Sequence, residues 1–332
     1  MNTDLSVHNA WMDSSLRTRS LHMSDAEAVA AVIYAACEAE GDAIAAMSAK
    51  ELEHEWQDPD FNLETDTFAV ETPEGRIVGF ADVIYERRYG ILDMNGNVHP
   101  DFKGRGIGTT LLRSVEKRAR EMMALAEPDV RVVIKTVINR NEPDGVALHQ
   151  DEGYQPVQYH WRMETVLDGP PPRPDWPEGI QLRAFNQREH DVAVWRAQNE
   201  AFRDHPGSHG RDLEEWRRYR FDDPEYDPTL WAVAWDGDEV AGFSINRYRM
   251  GIGWIRTLGV RRPWRKRGLG EALLLHSFGE YYRRGMRTVG LGVNAQNPTG
   301  ATRLYQRVGM YPASEHVTYE KELRSGRNID EE

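Results

Sequence analysis

The chain has 332 residues, of which 40% are hydrophobic and 29% charged, and a formal net charge of −13. That length accommodates two ordinary globular domains, the composition excludes a largely disordered chain, and the acidic balance argues against general nucleic-acid binding. The longest mostly apolar run, Ala28 to Cys37, is about half of a bilayer span and no basic-then-apolar leader opens the chain, so no membrane association is expected and the protein reads as cytoplasmic.

In chain order, residues 1 to about 15 read as a loose end. An apolar-polar segment begins at Arg19, and Ser24 with Glu27 has the spacing of a capping box at a helix start. The helix carries Cys37, the single cysteine, which among alanines reads as a buried, inert thiol and excludes both an internal disulfide and a cysteine metal cluster. Arg76 to Phe80 (RIVGF) leads to a strand at Ile91 to Val98 and a glycine-rich turn at Lys103 to Gly108. The next helix has Leu111, Leu112, Val115, Ala119 and Met122 on one face, and a strand at Val130 to Val137 and a short helix follow.

Asp168 to Gly179 reads DGPPPRPDWPEG, whose prolines forbid helix and favour a stiff, extended connection. Beyond it the order repeats. Arg183 answers Arg19, and Asn186 with Glu189 has the capping-box spacing. Trp231 to Trp235, Asp236-Gly237 and Glu239 to Asn246 read as a hairpin around a tight turn. EVAGF at Glu239 answers RIVGF at an offset of 163; after a strand at Ile255 to Val260, RKRGLG at Arg265 answers KGRGIG at an offset of 162. A helix with Leu274, Phe278 and Tyr282 on one face and a strand at Thr288 to Val293 come next; Asn297 then answers Asn141, and Gly309 answers Gly153. Residues 325–332 read as a second loose end.

Such colinearity is the mark of a duplicated domain, each copy an α/β (α+β) layer with a mixed sheet. The expected boundaries are 16–167, a proline-rich linker at 168–178, and 179–324.

Each glycine turn leaves a strand ending in valine and opens a helix, so its N–H groups and the helix dipole suit an anion such as pyrophosphate, with Arg265, Lys266 and Arg267 adding charge at the rim. An ordinary helix start with solvated basic residues explains one such turn equally well; recurrence at the same place in both repeats favours the anion site. Neither turn fits GxxxxGK[ST] or GxGxxG, which weakens nucleoside-triphosphate and dinucleotide readings.

Arg265-Lys-Arg-Gly-Leu-Gly270 meets [Q/R]xxGx[G/A] in full, and Lys103-Gly-Arg-Gly-Ile-Gly108 meets it with lysine in the first place. This pattern after a strand resembles the phosphate-binding signature of the GNAT superfamily of acyl-CoA N-acyltransferases. Asn297-Pro-Thr-Gly-Ala-Thr-Arg-Leu-Tyr305 and Gly309-Met-Tyr311 resemble its later segments, and the likeness covers nearly all of the chain outside linker and tails. Ala201-Phe-Arg-Asp-His-Pro206, Tyr226-Asp-Pro and the tandem layout are similar to the mycothiol synthases within that superfamily.

The resemblance implies tandem GNAT-like domains, acetyl-CoA as co-substrate, no metal, and acetyl transfer to a primary amine of a small molecule. Leu258, Gly259 and Val260 would hold the thioester carbonyl, and Arg265, Lys266, Arg267, Gly268, Leu269, Gly270 and Asn297 the rest of the cofactor. Val98, Lys103, Gly104, Arg105, Gly106, Ile107 and Gly108 are the first-copy counterparts. Tyr305 would protonate the departing thiolate. His149 stands in its place in the first copy, which therefore reads as degenerate. Some relatives carry a glutamate base on the strand before the turn, where this chain has Trp254, Ile255, Arg256 and Thr257; His205 and Glu200 are the base candidates left, and Asp93 reads as a local hydrogen-bonding group.

The alternative from another class is an acyl-CoA-binding sensor or scaffold without catalysis. Trp161, Trp195, Trp216, Trp231, Trp235 and Trp254 read as core residues before pocket walls. Eleven histidines lie scattered without H-E-x-x-H, so no metal is expected. Monomer and homodimer both fit.

Overall fold

A computed structural model describes residues 12–86, 90–203, 210, 212–297 and 300–329. In chain order the elements are β1 (Arg17–Arg19), α1 (Ala26–Ala39), α2 (Ala49–Trp56), a single turn α3 (Leu63–Asp66), β2 (Thr67–Glu71), β3 (Ile77–Glu86), β4 (Ile91–Val98), α4 (Ile107–Met122), β5 (Val132–Asn139), α5 (Pro143–Asp151) and β6 (Gln155–Val166). The second series is β7 (Ile180–Ala184), α6 (Gln187–Phe202), α7 (Leu213–Phe221), β8 (Ala232–Asp236), β9 (Glu239–Arg249), β10 (Ile252–Val260), α8 (Leu269–Arg283), β11 (Thr288–Asn294), α9 (Ala301–Arg307) and β12 (Tyr311–Arg324).

These form two compact units, Met1–Gln158 with His316–Glu332 and Tyr159–Glu315. In the first, β1 to β4 run antiparallel in order, β5 joins β4 in parallel, and β12 closes the sheet antiparallel to β5. In the second, β7 to β10 run antiparallel, β11 joins β10 in parallel, and β6 closes the sheet antiparallel to β11. The mixed sheet expected from sequence is present in both.

The closing strand of each sheet comes from the other half of the chain. His316–Arg324 pair with Val132–Asn139, and His160–Val166 pair with Thr288–Asn294. Relative to the expected 16–167 and 179–324, the two units trade most of β6 for most of β12. A colinear repeat conceals such an exchange, because β6 and β12 hold the same place in each series and trading them leaves the order of elements unchanged.

Periodicity explains the layers. α1 buries Val29, Val32, Ile33 and Cys37, a helical stripe, in a cluster with Phe80 of β3. On the other face, α4 buries Leu111, Leu112, Val115, Ala119 and Met122 with Val83, Leu92 and Ile134. In the second unit α6 and α7 bring Val194, Ala197 and Trp216 against Trp231, Trp235 and Phe243, while α8 packs Leu274, Phe278 and Tyr281 against Ile255 and Leu291. Trp216, Trp231 and Trp235 are core as expected; Trp161, Trp195 and Trp254 are only half-buried.

The expected capping boxes are absent from α1 and α6. At α1 the His22 N–H donates to Asp25 Oδ2 at 2.8 Å in a preceding 3-10 turn, and at α6 Asn186 Oδ1 accepts from the Arg188 N–H at 3.1 Å without Glu189. The reciprocal pair occurs instead at α2, between Ser48 and Glu51. Arg327, in the segment expected to be loose, bridges Val130 and donates its N–H to Asp129 O at 2.7 Å. No helix among the described residues is long and apolar enough to cross a membrane.

Candidate active site

β10 stays paired with β9 as far as Val260, but its parallel pairing with β11 covers only Gly253 to Ile255. From Arg256 onward the two strands separate. The register against β9 slips between Ile255 and Thr257, a β-bulge at Arg256. Backbone N–H and C=O groups of Arg256 to Val260 that point away from β9 thus have no strand partner on that side among the described residues, and of them Val260 O is taken by Arg265. The first unit repeats the splay: β4 pairs with β5 only from Ile91 to Asp93, although its register with β3 is continuous.

Each splay runs into the glycine turn. Gly268 has φ +84° and Lys266 φ +61°; Gly104 and Gly106, at the matching places, have φ +75° and +76°. Left-handed residues alternating in this way turn successive N–H groups to one side, a nest for an anion. The first intrahelical bonds run from Ala272 N to Gly268 O at 3.0 Å and from Thr110 N to Gly106 O at 3.1 Å. The N–H groups ahead of them, on Leu269, Gly270 and Glu271 and on Ile107, Gly108 and Thr109, meet no protein acceptor among the described residues. Two helix N-termini are thereby open to a diphosphate.

The last glycine of each turn has a different task. A Cβ on Gly270 would lie 3.1 Å from Leu304 Cδ2, and one on Gly108 3.2 Å from Leu148 Cδ2. Their smallness seats the late helix, α9 or α5, against the N-terminus of α8 or α4. Gly259 likewise answers to packing, since Phe243 Cζ would lie 2.4 Å from its Cβ.

The basic residues divide. Lys266 and Arg267 are exposed, whereas Arg265 donates from Nε to Val260 O at 3.1 Å and from Nη2 to Ala201 O at 2.9 Å, tying the end of β10 to α6. Lys103 is ion-paired with Glu142, whose Oε1 accepts from the Gly145 N–H at 3.2 Å and so caps α5.

Tyr305 is buried on α9 beside Leu291, Val293 and Met310. Its hydroxyl has no hydrogen-bond partner among the described residues, and burial pushes its pKa up to about 12. His149, at the equivalent place on α5, makes a 2.8 Å contact from Nδ1 to Gly145 O, which fixes the proton on Nδ1. Its Nε2 is a buried lone pair without a partner among the described residues, and burial lowers its pKa. A neutral imidazole in that tautomer cannot hand a proton to a thiolate.

Glu200 Oε2 accepts from Arg261 Nε at 2.7 Å, just past the end of β10. His205 lies outside the described residues. Three groups escaped the sequence reading. Asp82, deeply buried on β3, accepts from Asn95 Nδ2 at 2.9 Å and is pushed up to about 6 by burial. Glu40, after α1, is raised to about 7, first by burial and then by Glu142. Arg247 and Arg256 converge on buried Asp223. Strand register joins Asp82 to Asn95 and tertiary packing joins the other two sets, and one sequence displays neither. Among the described residues no three His, Cys, Asp or Glu are placed to hold a metal.

The sequence profile of the Acetyltransferase (GNAT) family matches residues 25–133 and 192–310, one match in each series of elements. The chain belongs to the GNAT acetyltransferase family. As an N-acetyltransferase of that family it is 34% identical over 232 residues to a mycothiol acetyltransferase of Salinispora arenicola, covering 68% of this chain and 71% of that protein. It is 32% identical to the mycothiol acetyltransferase of Thermobispora bispora over 68% of this chain and 74% of that one. Among solved structures, the GCN5-related N-acetyltransferase from Sphaerobacter thermophilus superposes with a TM-score of 0.81 at 36% identity, covering 96% of this chain and 99% of that chain. A tandem GNAT protein from the clavulanic acid biosynthesis pathway shares the fold at a TM-score of 0.71 and 17% identity, covering 94% and 100%.

Proposed function

We propose that this cytoplasmic N-acetyltransferase moves an acetyl group from acetyl-CoA to a primary amine of a small molecule, with chemistry in the second unit and cofactor held at both glycine turns. The carrying observation is that in each unit a splayed parallel strand pair opens beside a helix N-terminus whose amides have no protein acceptor among the described residues.

Acetyl-CoA supplies the activated acyl group. In the second unit the backbone N–H groups of Leu258 and Val260, which point away from β9, hold the thioester oxygen and stabilise the oxyanion, an effect worth about 3 kcal/mol per donor. The amides from Gly268 to Glu271, with Lys266 and Arg267, hold the diphosphate, and Asn297 completes the cofactor side. Tyr305, protonated across the working pH range, donates to the departing thiolate. Glu200 is engaged by Arg261 and positions the strand end, which leaves His205 as candidate base. The relatives' name specifies mycothiol chemistry; Arg256 and Thr257, where some relatives have glutamate, favour a different acceptor here.

Titration calorimetry with acetyl-CoA tests the reading. Two sites are expected. Gly268→Val weakens one and Gly106→Val the other by about tenfold or more, since a β-branched residue at such a φ costs about 1–3 kcal/mol and moves the amides. Wild-type affinity and stoichiometry in the double variant would remove the cofactor assignment. Tight binding with no CoA release over a broad amine panel would instead support the sensor alternative.

A further inference from the structure

The bulge at Arg256 puts two consecutive side chains on the same face of β10. Thr257 Oγ1 accepts from Nη2 of Arg220, on α7, at 2.8 Å, and the Arg256 guanidinium lies 4.2 Å from the ring centroid of Tyr219, also on α7. Both therefore face α7, opposite the face on which Ile255 meets α8.

Asp223, just beyond α7, has 5% of its side chain accessible. Arg247 Nη1 contacts both its oxygens, at 3.3 and 3.1 Å, and Arg256 reaches the same carboxylate. Arg247 and Arg256 thus share the Asp223 carboxylate. The Arg256 side chain is 16% accessible, and the exposed ring of Tyr219 lies beneath it. A guanidinium stacked on an aromatic face and half-satisfied by a carboxylate keeps donors for a further planar anion.

Arg256 is the first residue past the β10–β11 pairing and two residues before Leu258, about 7 Å along an extended strand. The first unit has the opposite character in its counterpart region, with buried Asp82 beneath exposed Asn95 and no bulge.

We infer that the acceptor of the second unit is an amine that also bears an anionic group, a carboxylate or phosphate a few bonds from the nitrogen, seated on the Arg256 guanidinium above Tyr219. This rests on the transferase reading and names its substrate class. The charge of the whole chain has the wrong sign to supply the preference, so the local cation is its source.

The test compares CoA release by the full-length protein with four acceptors: an α-amino acid, its carboxamide, an amino-sugar phosphate, and the uncharged amino sugar. An anionic member should exceed its neutral partner about tenfold or more in kcat/KM, the size expected of a charge-assisted pair. Which pair shows the gap separates carboxylate from phosphate. Arg256→Gln should bring the anionic acceptor down to its neutral partner, and Arg256→Lys should restore only part of the difference. Equal turnover within both pairs by the unaltered protein overturns the inference and leaves the transferase reading standing. No CoA release with any amine overturns both.

Discussion

Tyr305→Phe should lower kcat for acetyl transfer about a hundredfold, the usual scale of a positioned proton donor, while KM for acetyl-CoA changes little. The hydroxyl makes no hydrogen bond within the protein among the described residues, so its removal breaks no structural contact and the melting temperature should stay nearly constant. The pH profile adds a second readout. Burial holds this phenol at about 12, so the protonated form persists up to that pH and Tyr305 contributes no alkaline fall in rate at ordinary pH. Stopped-flow detection of free thiol across pH measures both. Unchanged turnover in Tyr305→Phe, with activity lost in His149→Ala, would transfer the chemistry to the first unit.

A chain ending at Glu315 should lose the fold of its first unit, although every deleted residue lies at the opposite end of the sequence. β12 supplies the pairing for the whole of β5 and buries Val317 and Tyr319 in the cluster that holds α4. Lys321 Nζ also reaches buried Glu116 Oε1 at 2.6 Å. Two buried side chains at roughly 1.5–3 kcal/mol each, together with a full ladder, rival the 5–15 kcal/mol that typically holds a domain together. Hydrogen exchange reads the outcome residue by residue. Amides of β4 and β5 should lose protection while those of β10 keep it; retained protection across β5 would show that the closing strand is dispensable.

The sequence displayed what depends on local order: the repeat, the turns, the helical stripes and the place of Tyr305. It displayed poorly what depends on register. The offset between repeats falls from 163 at the RIVGF and EVAGF segments to 162 at the glycine turns. Two changes of opposite sign produce that single step. Four residues separate Glu86 from Ile91 where only Met250 and Gly251 separate Arg249 from Ile252, and the bulge at Arg256 adds one residue back. A difference of one conceals the feature that turns Arg256 toward α7. Glycine chemistry was similarly ambiguous, since Gly268 is required by its φ while Gly270 and Gly259 are required by Leu304 and Phe243, a distinction only packing reveals.

The exchanged strands also set a timetable. A ribosome delivers residues 159–310 before it reaches β12, so the later-made half acquires its last strand first, and the half made earliest waits until β12 has been synthesised. Through that interval the border of β5 is an unsatisfied template able to recruit any passing extended segment. Production of this enzyme should accordingly depend on holdase chaperones more than that of a same-sized protein whose two halves mature one after the other.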